Sequence, residues 1–204
     1  MKKIRDLNFR FFVLGKLQMF KDYAEYIEDT LGSELNRFDE SMKELSDDEK
    51  EAFVDWHYDQ IAQYRDDFPI IMRNSLFISV YSFLEEKVID LCNQPDETSI
   101  KLDDLQGNGI KRASLFIKKV KKDDFPEDTK EWHFIQNINH IRNCIVHCGG
   151  DIEKAKNPNK IRNAVNELGN VTEGSHNKIF LNKDFCIEFI NVVEKFLRDL
   201  YKMN

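Results

Sequence analysis

The sequence is poor in residues that interrupt helices and in long apolar runs. Only 4 prolines and 8 glycines occur in 204 residues, so long helices meet few obstacles and a many-stranded sandwich lacks its turn residues. No apolar stretch reaches the roughly 20 residues that cross a bilayer, and residues 1–20 contain no small-residue cleavage site. We therefore expect a single-domain, all-α protein of the cytoplasm, with no membrane partner.

Cysteine is also sparse. The four cysteines fall within helical apolar patterns, at Cys92, Cys144, Cys148 and Cys186. Free cysteines are commonly buried, whereas a disulfide framework belongs to small secreted domains. This pattern favours buried thiols in a reducing compartment.

Acidic residues are concentrated in one region. The net charge is −7, yet residues 22–67 carry 16 acids and 4 bases, which leaves the rest of the chain at +5. Residues 111–122 contain six cations and no acid. Such a run is more often a solvated helix face than a binding patch. We interpret four of its members as weak candidates for RNA binding: Lys111, Arg112, Lys118 and Lys119.

Apolar periodicity and stop signals predict the order of the helices. The expected segments are a helix from Leu7 to about Leu31 ended by Gly32, a helix from Ser46 or Asp47 toward Phe68, a break or kink at 67–69, a central helix from Ile70 to about Cys92 closed by 93–95, a loose region at 96–108, a basic helix at 111–120, a helix at 127–148 ended by Gly149 and Gly150, an irregular excursion at 151–183 with a short helix at 161–168, and a final helix from Asp184 to about Tyr201. We expect residues 1–68 to form an acidic helical extension packed on a bundle of residues 69–204. Trp56 matches the core spacing of the second helix.

The helix at 127–148 has an unusual distribution of polar side chains. At about 100° per residue, an apolar stripe faces the core while Asn143, His147 and His140 share a face that can hydrogen-bond and transfer protons. Arg142 lies at the border of the apolar stripe, where a guanidinium needs an acceptor or a ligand. Glu85 falls inside the apolar arc of the central helix and is the natural partner, so Arg142 and Glu85 could also form no more than a buried ion bridge.

The segment Arg142-Asn143-Cys144-Ile145-Val146-His147 resembles the R-x4–6-H motif of the HEPN superfamily, with the polar residue that commonly follows its arginine. The position of the motif, on the penultimate long helix before a final amphipathic helix, is similar to that family over roughly residues 69–201. The resemblance implies a HEPN-like bundle of four to five helices, to which residues 1–68 add an N-terminal helical pair.

The resemblance also implies a metal-independent endoribonuclease of the toxin–antitoxin or antiphage-defence type, active without a cofactor as a homodimer with a shared cleft. In that reading His147 transfers protons, Arg142 holds the scissile phosphate, and Asn143 orients one of them, with Glu85 and His140 in supporting roles. The partners would be RNA and an antitoxin or other regulatory protein. The alternative is a HEPN-type module that has lost catalysis and only dimerises or docks RNA or a protein.

Other readings of the same residues are weaker. His140, Cys144, His147 and Cys148 lie at i, i+4, i+7 and i+8, but paired Cys-x-x-Cys knuckles are absent and we expect no metal site. The acidic residues 22–67 could be the docking surface of a pure interaction module. Trp132 and His133 could stack a base, or could serve as an interfacial aromatic anchor.

Overall fold

The computed structural model describes residues 7–94 and 99–203. Its helices and strands, in chain order, are a π-helical turn at Phe9–Leu14, α1 at Gly15–Met42, α2 at Asp47–Ala62, a second π-helical turn at Gln63–Asp67, α3 at Phe68–Cys92, a 3-10 turn at Leu102–Asp104, α4 at Gly109–Lys119, α5 at Lys130–Cys148, a 3-10 turn at Ile152–Lys154, α6 at Pro158–Glu167, β1 at Val171–Glu173, a 3-10 turn at Ser175–Asn177, β2 at Ile179–Leu181 and α7 at Phe185–Leu200. The described chain is mostly helical, as the composition predicts.

The stop predicted at Gly32 is wrong, because α1 continues to Met42. A glycine inside a helix costs up to about 1 kcal/mol relative to alanine, which a long helix packed on its neighbours tolerates. Buried Leu17, Ala24 and Leu31 follow each other at seven-residue intervals and hold α1 against α3 and α7. Tertiary packing therefore outweighs the local signal at Gly32.

The start of α2 is confirmed. Ser46 precedes its first residue, and the backbone amide of Ser46 donates to Oε2 of Glu49 at 2.9 Å, which is half of a capping box. At the other end the backbone stays helical through Asp67 and Phe68, so no break occurs at 67–69. Instead, the amide of Phe68 donates to the carbonyl of Gln63, and this π-helical turn leads into Pro69 near the start of α3.

Trp56 is not a core residue, contrary to its spacing. Its side chain is 86% exposed, and α2 contributes no buried residue. The contact between α2 and α1 is narrow, because it consists of Phe53 and His57 of α2 around Phe38 of α1. The ring centroids of Phe53 and His57 lie 6.4 and 5.6 Å from that of Phe38. A helix that packs on one neighbour buries a thinner stripe than periodicity alone suggests.

The core is shared by α1, α3, α5 and α7. Phe77, Phe185 and Phe189 form edge-to-face pairs at its centre, with centroids 5.3 and 5.4 Å from Phe77. An ion pair links α1 to α3, because the guanidinium of Arg73 donates to both carboxylate oxygens of Glu28 at 2.6 and 2.9 Å. The predicted boundary between 68 and 69 falls in one run of helical backbone, and the division into 1–68 and 69–204 stays a prediction.

The excursion at 151–183 contains a small sheet that the sequence does not predict. β1 and β2 pair antiparallel with Thr172 opposite Phe180, and the short helix expected at 161–168 is present as α6, which begins three residues earlier. The four cysteines are free, and Cys92, Cys144 and Cys186 are buried as predicted, whereas Cys148 is only half-buried. The stop predicted at Pro95 and the loop predicted from Asp96 begin outside the described residues.

Within the described ranges, no helix combines the length with the apolar character that a bilayer span requires. The longest, α1, has polar and charged residues along its exposed sides.

Candidate functional site

The helix that carries the motif is fixed at both ends. At its start, the hydroxyl of Thr129 accepts a hydrogen bond from the backbone amide of Trp132 at 3.2 Å. At its end, Gly149 and Gly150 adopt φ values of +59° and +75°, which terminate α5 as predicted. Arg142, Asn143 and His147 therefore lie in its last two turns.

These last turns form one wall of a partly open cavity of about 540 Å³. The other walls are α3 and the start of α4 with the loop before it. The lining residues are Tyr81, Glu85, Gly107, Asn108, Gly109, Ile110, Lys111, Asn139, Arg142, Asn143 and His147. The structure thus brings the three predicted motif residues and Glu85 to the same cavity, which has the size of a small-molecule or single-nucleotide pocket.

Arg142 is half-buried at the edge of this cavity. Its Nη1 donates to Oδ1 of Asn143 at 3.0 Å, and its guanidinium carbon lies 5.5 Å from the ring centroid of Tyr81. Its Nε is buried and has no hydrogen-bond partner among the described residues. A buried, unused donor on a cation is costly, because it has lost its hydrogen bond to water and gained no other.

A hydrogen-bonded chain holds this arginine. The hydroxyl of Tyr81 donates to Oδ1 of Asn139 at 2.9 Å, and Nδ2 of Asn143 approaches the same oxygen at 3.5 Å. Asn143 in turn accepts from Arg142, so its amide orients the guanidinium. Burial raises the pKa of the Tyr81 hydroxyl, the charge of Glu85 adds to this rise, and Arg142 opposes it. The hydroxyl therefore stays protonated and remains a donor near neutral pH.

The sequence offers one signal for this chain of hydrogen bonds. Tyr81 belongs to the apolar arc of the central helix, where a buried hydroxyl needs a hydrogen-bond partner. The amides on the polar face of α5 are the nearest candidates one helix away. Neither Tyr81 nor Asn139 is predicted from the sequence to belong to the site.

The expected ion bridge between Glu85 and Arg142 is not formed, since no pair within 4.0 Å joins them in the described part of the chain. Arg142 instead covers the ring of Tyr81, one helical turn before Glu85. The Glu85 carboxylate faces Gly109, where an added Cβ would overlap with its Oε1. Gly109 has no Cβ and therefore permits this approach of the carboxylate to the start of α4, and its φ of +58° independently favours glycine.

His147 is exposed and lines the cavity, but none of the described residues hydrogen-bonds its imidazole. His140 is half-buried and is not among the described residues that line the cavity. Burial lowers the pKa of His140, and the charges of Lys111 and Lys160 lower it further. His140 therefore faces α4 and α6 as a neutral imidazole at pH 7, and its predicted supporting role stays a prediction.

The four weak candidates for RNA binding lie in different surroundings. Lys111 lines the cavity and is exposed. Arg112 pairs with Asp103 at 3.0 Å, and Lys118 pairs with Glu127. Lys119 is exposed on α4. Lys111 is therefore the cation of this group that the structure places beside Arg142.

The zinc reading gains no support. Among residues 7–94 and 99–203, there is no group of three or more His, Cys, Asp or Glu side chains arranged to hold a metal ion. Burial and the neighbouring Cys148 raise the pKa of the Cys144 thiol to about 11, which disfavours the thiolate that a metal requires.

Trp132 does not present a face for stacking a base. It is 5% exposed and lies between Phe125 and Phe196, with ring centroids 4.8 and 5.5 Å away. Trp132 is therefore a core residue, and the interfacial anchor gains no support either. His133 is exposed in the first turn of α5, where its Nδ1 lies 2.9 Å from the carbonyl of Thr129.

A larger cavity, of about 840 Å³, lies between α1, α5 and α7. Its charged lining is mostly acidic and consists of Glu25, Glu28, Asp29, Glu131, Asp184 and Glu188 with Lys130, Lys183 and Lys195. Carboxylates repel a phosphodiester, and Glu28 and Glu131 are already paired with Arg73 and Lys195. For a phosphate ligand, the smaller cavity with its unused arginine donor is the better candidate.

Comparison of the chain with protein-family models, with curated proteins and with solved structures finds no match.

Proposed function

We propose that the chain is a metal-independent endoribonuclease and that RNA binds at the cavity of Arg142 and His147. The observation that carries the proposal is the unused Nε of Arg142, buried beside a cavity that also contains an imidazole and the ammonium of Lys111. A phosphodiester supplies the oxyanion that this donor lacks, and the positive charges of Arg142 and Lys111 offset the charge of the phosphodiester.

The proposed reaction uses the nucleophile that RNA carries. The ribose 2′-oxygen attacks the adjacent phosphorus, the bond from phosphorus to the 5′-oxygen breaks, and the products are a 2′,3′-cyclic phosphate and a 5′-hydroxyl. One proton leaves the 2′-hydroxyl and one is added to the 5′-oxygen, and His147 performs one of these transfers. Arg142 stabilises the charge that develops on the phosphorane oxygens.

The remaining residues would position the guanidinium of Arg142. Asn143 accepts from Arg142 and approaches Asn139, which Tyr81 holds from α3. A guanidinium fixed by a second helix needs little reorganisation when the substrate binds. The resemblance to HEPN toxins adds the expectation of a homodimer, of growth arrest and of a regulatory antitoxin.

The decisive experiment is incubation of the purified protein with total RNA in the presence of EDTA. We expect cleavage products that end in a 2′,3′-cyclic phosphate. His147→Ala should abolish cleavage and, because His147 is exposed, leave the circular dichroism spectrum unchanged. His133→Ala is the matched control, since it removes an exposed imidazole from the same helix but outside the cavity.

Arg142→Lys tests the phosphate contact with less risk to the fold than Arg142→Ala. The ammonium keeps the charge but loses the fork of donors, so cleavage should fall by about 10²-fold or more. Cleavage that requires Mg²⁺, or that survives both the His147 and the Arg142 substitutions, would contradict the proposal.

A binding module without catalysis is the second candidate. It is favoured by one observation, that no described residue orients the imidazole of His147. In that case RNA affinity, measured by fluorescence anisotropy, would depend on Arg142 and not on His147, and no RNA would be cleaved. Expression in a host cell separates the two, because growth arrest relieved by His147→Ala favours catalysis.

A further inference from the structure

Helix α1 carries large apolar side chains on its solvent side. Met19, Tyr23 and Tyr26 follow each other at intervals of four and three residues and are 62%, 49% and 68% exposed. Phe11 and Phe12, in the π-helical turn before α1, are 70% and 69% exposed. We call these five residues the outer stripe. A row of exposed aromatic side chains of this length is uncommon on a monomer and marks a contact surface.

The outer stripe is distinct from the residues of α1 that build the core. Leu17, Ala24 and Leu31 form the inner row and are buried against α3 and α7. Among the described residues, the side chains of the outer stripe remain exposed to solvent. Apolar residues at alternating intervals of three and four are the pattern by which one helix packs along another, so the missing neighbour is a helix.

The charge of α1 indicates which helix fits. Residues 10–21 carry three cations and no acid, whereas residues 22–29 carry four acids and no cation. Lys21 and Glu28 already pair with Glu194 and Arg73 inside the chain. The charges that remain exposed are Arg10 and Lys16 in the first half and Asp22, Glu25 and Asp29 in the second.

We propose that the outer stripe binds the outer stripe of a second copy of this chain, in an antiparallel pair with two-fold symmetry. An antiparallel pair places the basic half of each α1 beside the acidic half of the other, whereas a parallel pair places like charges together. Met19 lies midway between Phe12 and Tyr26 and would be near the two-fold axis, where one patch serves both chains.

This interface goes beyond the proposed reaction and is separate from its site. No described residue of α1 lines the Arg142 cavity. It also differs from the dimer that the resemblance implies, in which the ends of two motif helices meet. In α5 that surface includes Val146, which is 42% exposed, and His147.

Sedimentation velocity over a range of protein concentrations tests the proposal. We expect the wild type to be a dimer, and Met19→Glu to raise its dissociation constant by about tenfold or more, because two carboxylates are then buried near the axis. Trp56→Glu is the matched control: it adds the same charge at an exposed apolar residue of α2, outside the outer stripe, and should leave the dimer intact.

The orientation has a test of its own. Lys16→Glu should weaken the dimer, and the double variant Lys16→Glu, Asp22→Lys should restore it, because both halves of α1 then change sign together. Failure of this rescue would contradict the antiparallel arrangement. A wild type that is monomeric throughout would overturn the proposal, as would a dimer that resists Met19→Glu but dissociates with Val146→Glu. Neither result affects the RNA-cleavage assay.

Discussion

The hydroxyl of Tyr81 donates a hydrogen bond of 2.9 Å to Oδ1 of Asn139, and through it α3 holds the polar face of α5. The same ring lies under the guanidinium of Arg142. One buried side chain thus fixes both the amide chain and the cation of the candidate site.

We predict that Tyr81→Phe lowers the free energy of unfolding by about 1 kcal/mol, because it removes a buried hydrogen bond and keeps the ring. Urea denaturation measures this loss. Tyr201→Phe is the control, since the hydroxyl of Tyr201 donates to the carbonyl of Lys87 at 2.8 Å, away from the cavity. The two variants should lose similar stability, but only Tyr81→Phe should weaken RNA binding. If the two variants bind RNA with equal affinity, the hydrogen bond of Tyr81 is not part of the RNA-binding site.

Gly109→Ala should lower stability by more than the φ of +58° alone would cost. A non-glycine residue at such a φ costs about 1–2 kcal/mol, and here the added Cβ also forces the Glu85 carboxylate to move. Thermal denaturation followed by circular dichroism measures the change.

The matched control for Gly109 is Gly149→Ala. Gly149 has nearly the same φ, +59°, and its added Cβ would meet only Nζ of Lys178, at 4.0 Å. Combining Gly109→Ala with Glu85→Ala should reduce the loss to that of Gly149→Ala. If the double variant shows no such coupling, the contact between Gly109 and Glu85 has no energetic role.

Gly32→Ala should stabilise the chain. Gly32 lies in the middle of α1, and an added Cβ meets no atom within 4 Å. Alanine is better than glycine inside a helix by roughly 0.5–1 kcal/mol, so the melting temperature should rise. A fall in the melting temperature would indicate that the helix does end near Gly32.

The imidazole of His140 should titrate below its ordinary pKa of 6.5. Burial and the charges of Lys111 and Lys160 disfavour its protonated form, so Lys160→Gln should raise the pKa and the control Lys119→Gln should not. Because the folded-state pKa is the lower one, His140 reduces stability as the pH falls below about 6.5. NMR titration of the ring protons measures both effects, and an unchanged pKa in Lys160→Gln would remove that lysine as a cause.

The sequence predicts the helices where strong local signals agree with packing. The cap at Ser46, the central helix that ends at Cys92 and the glycine stop after Cys148 are confirmed. The predictions of a helix end at Gly32 and of a core position for Trp56 are wrong because both features depend on how many neighbours a helix packs against. Periodicity does not report that number. The hairpin of β1 and β2 escapes prediction because three-residue strands are too short for a period.

The sequence predicts some of the residues that reach the cavity, but neither Tyr81 nor Asn139, and it does not predict how these residues interact. Arg142, Asn143 and His147 share it because of their spacing on one helix. The partner of Arg142 depends on the register between α3 and α5, and one helical turn separates the expected Glu85 from the observed Tyr81. That register is set by the core, which no single helix specifies.

The carbonyls at the end of α5 are held by residues far along the chain. The amide of Ile179 donates to Gly150 at 2.9 Å and the ammonium of Lys178 donates to Gly149 at 2.9 Å. The two-stranded hairpin therefore holds the C-terminal end of the helix that carries His147. A nick or an insertion between the strands would therefore loosen the end of α5 and change the position of His147 in a cavity that the hairpin does not touch.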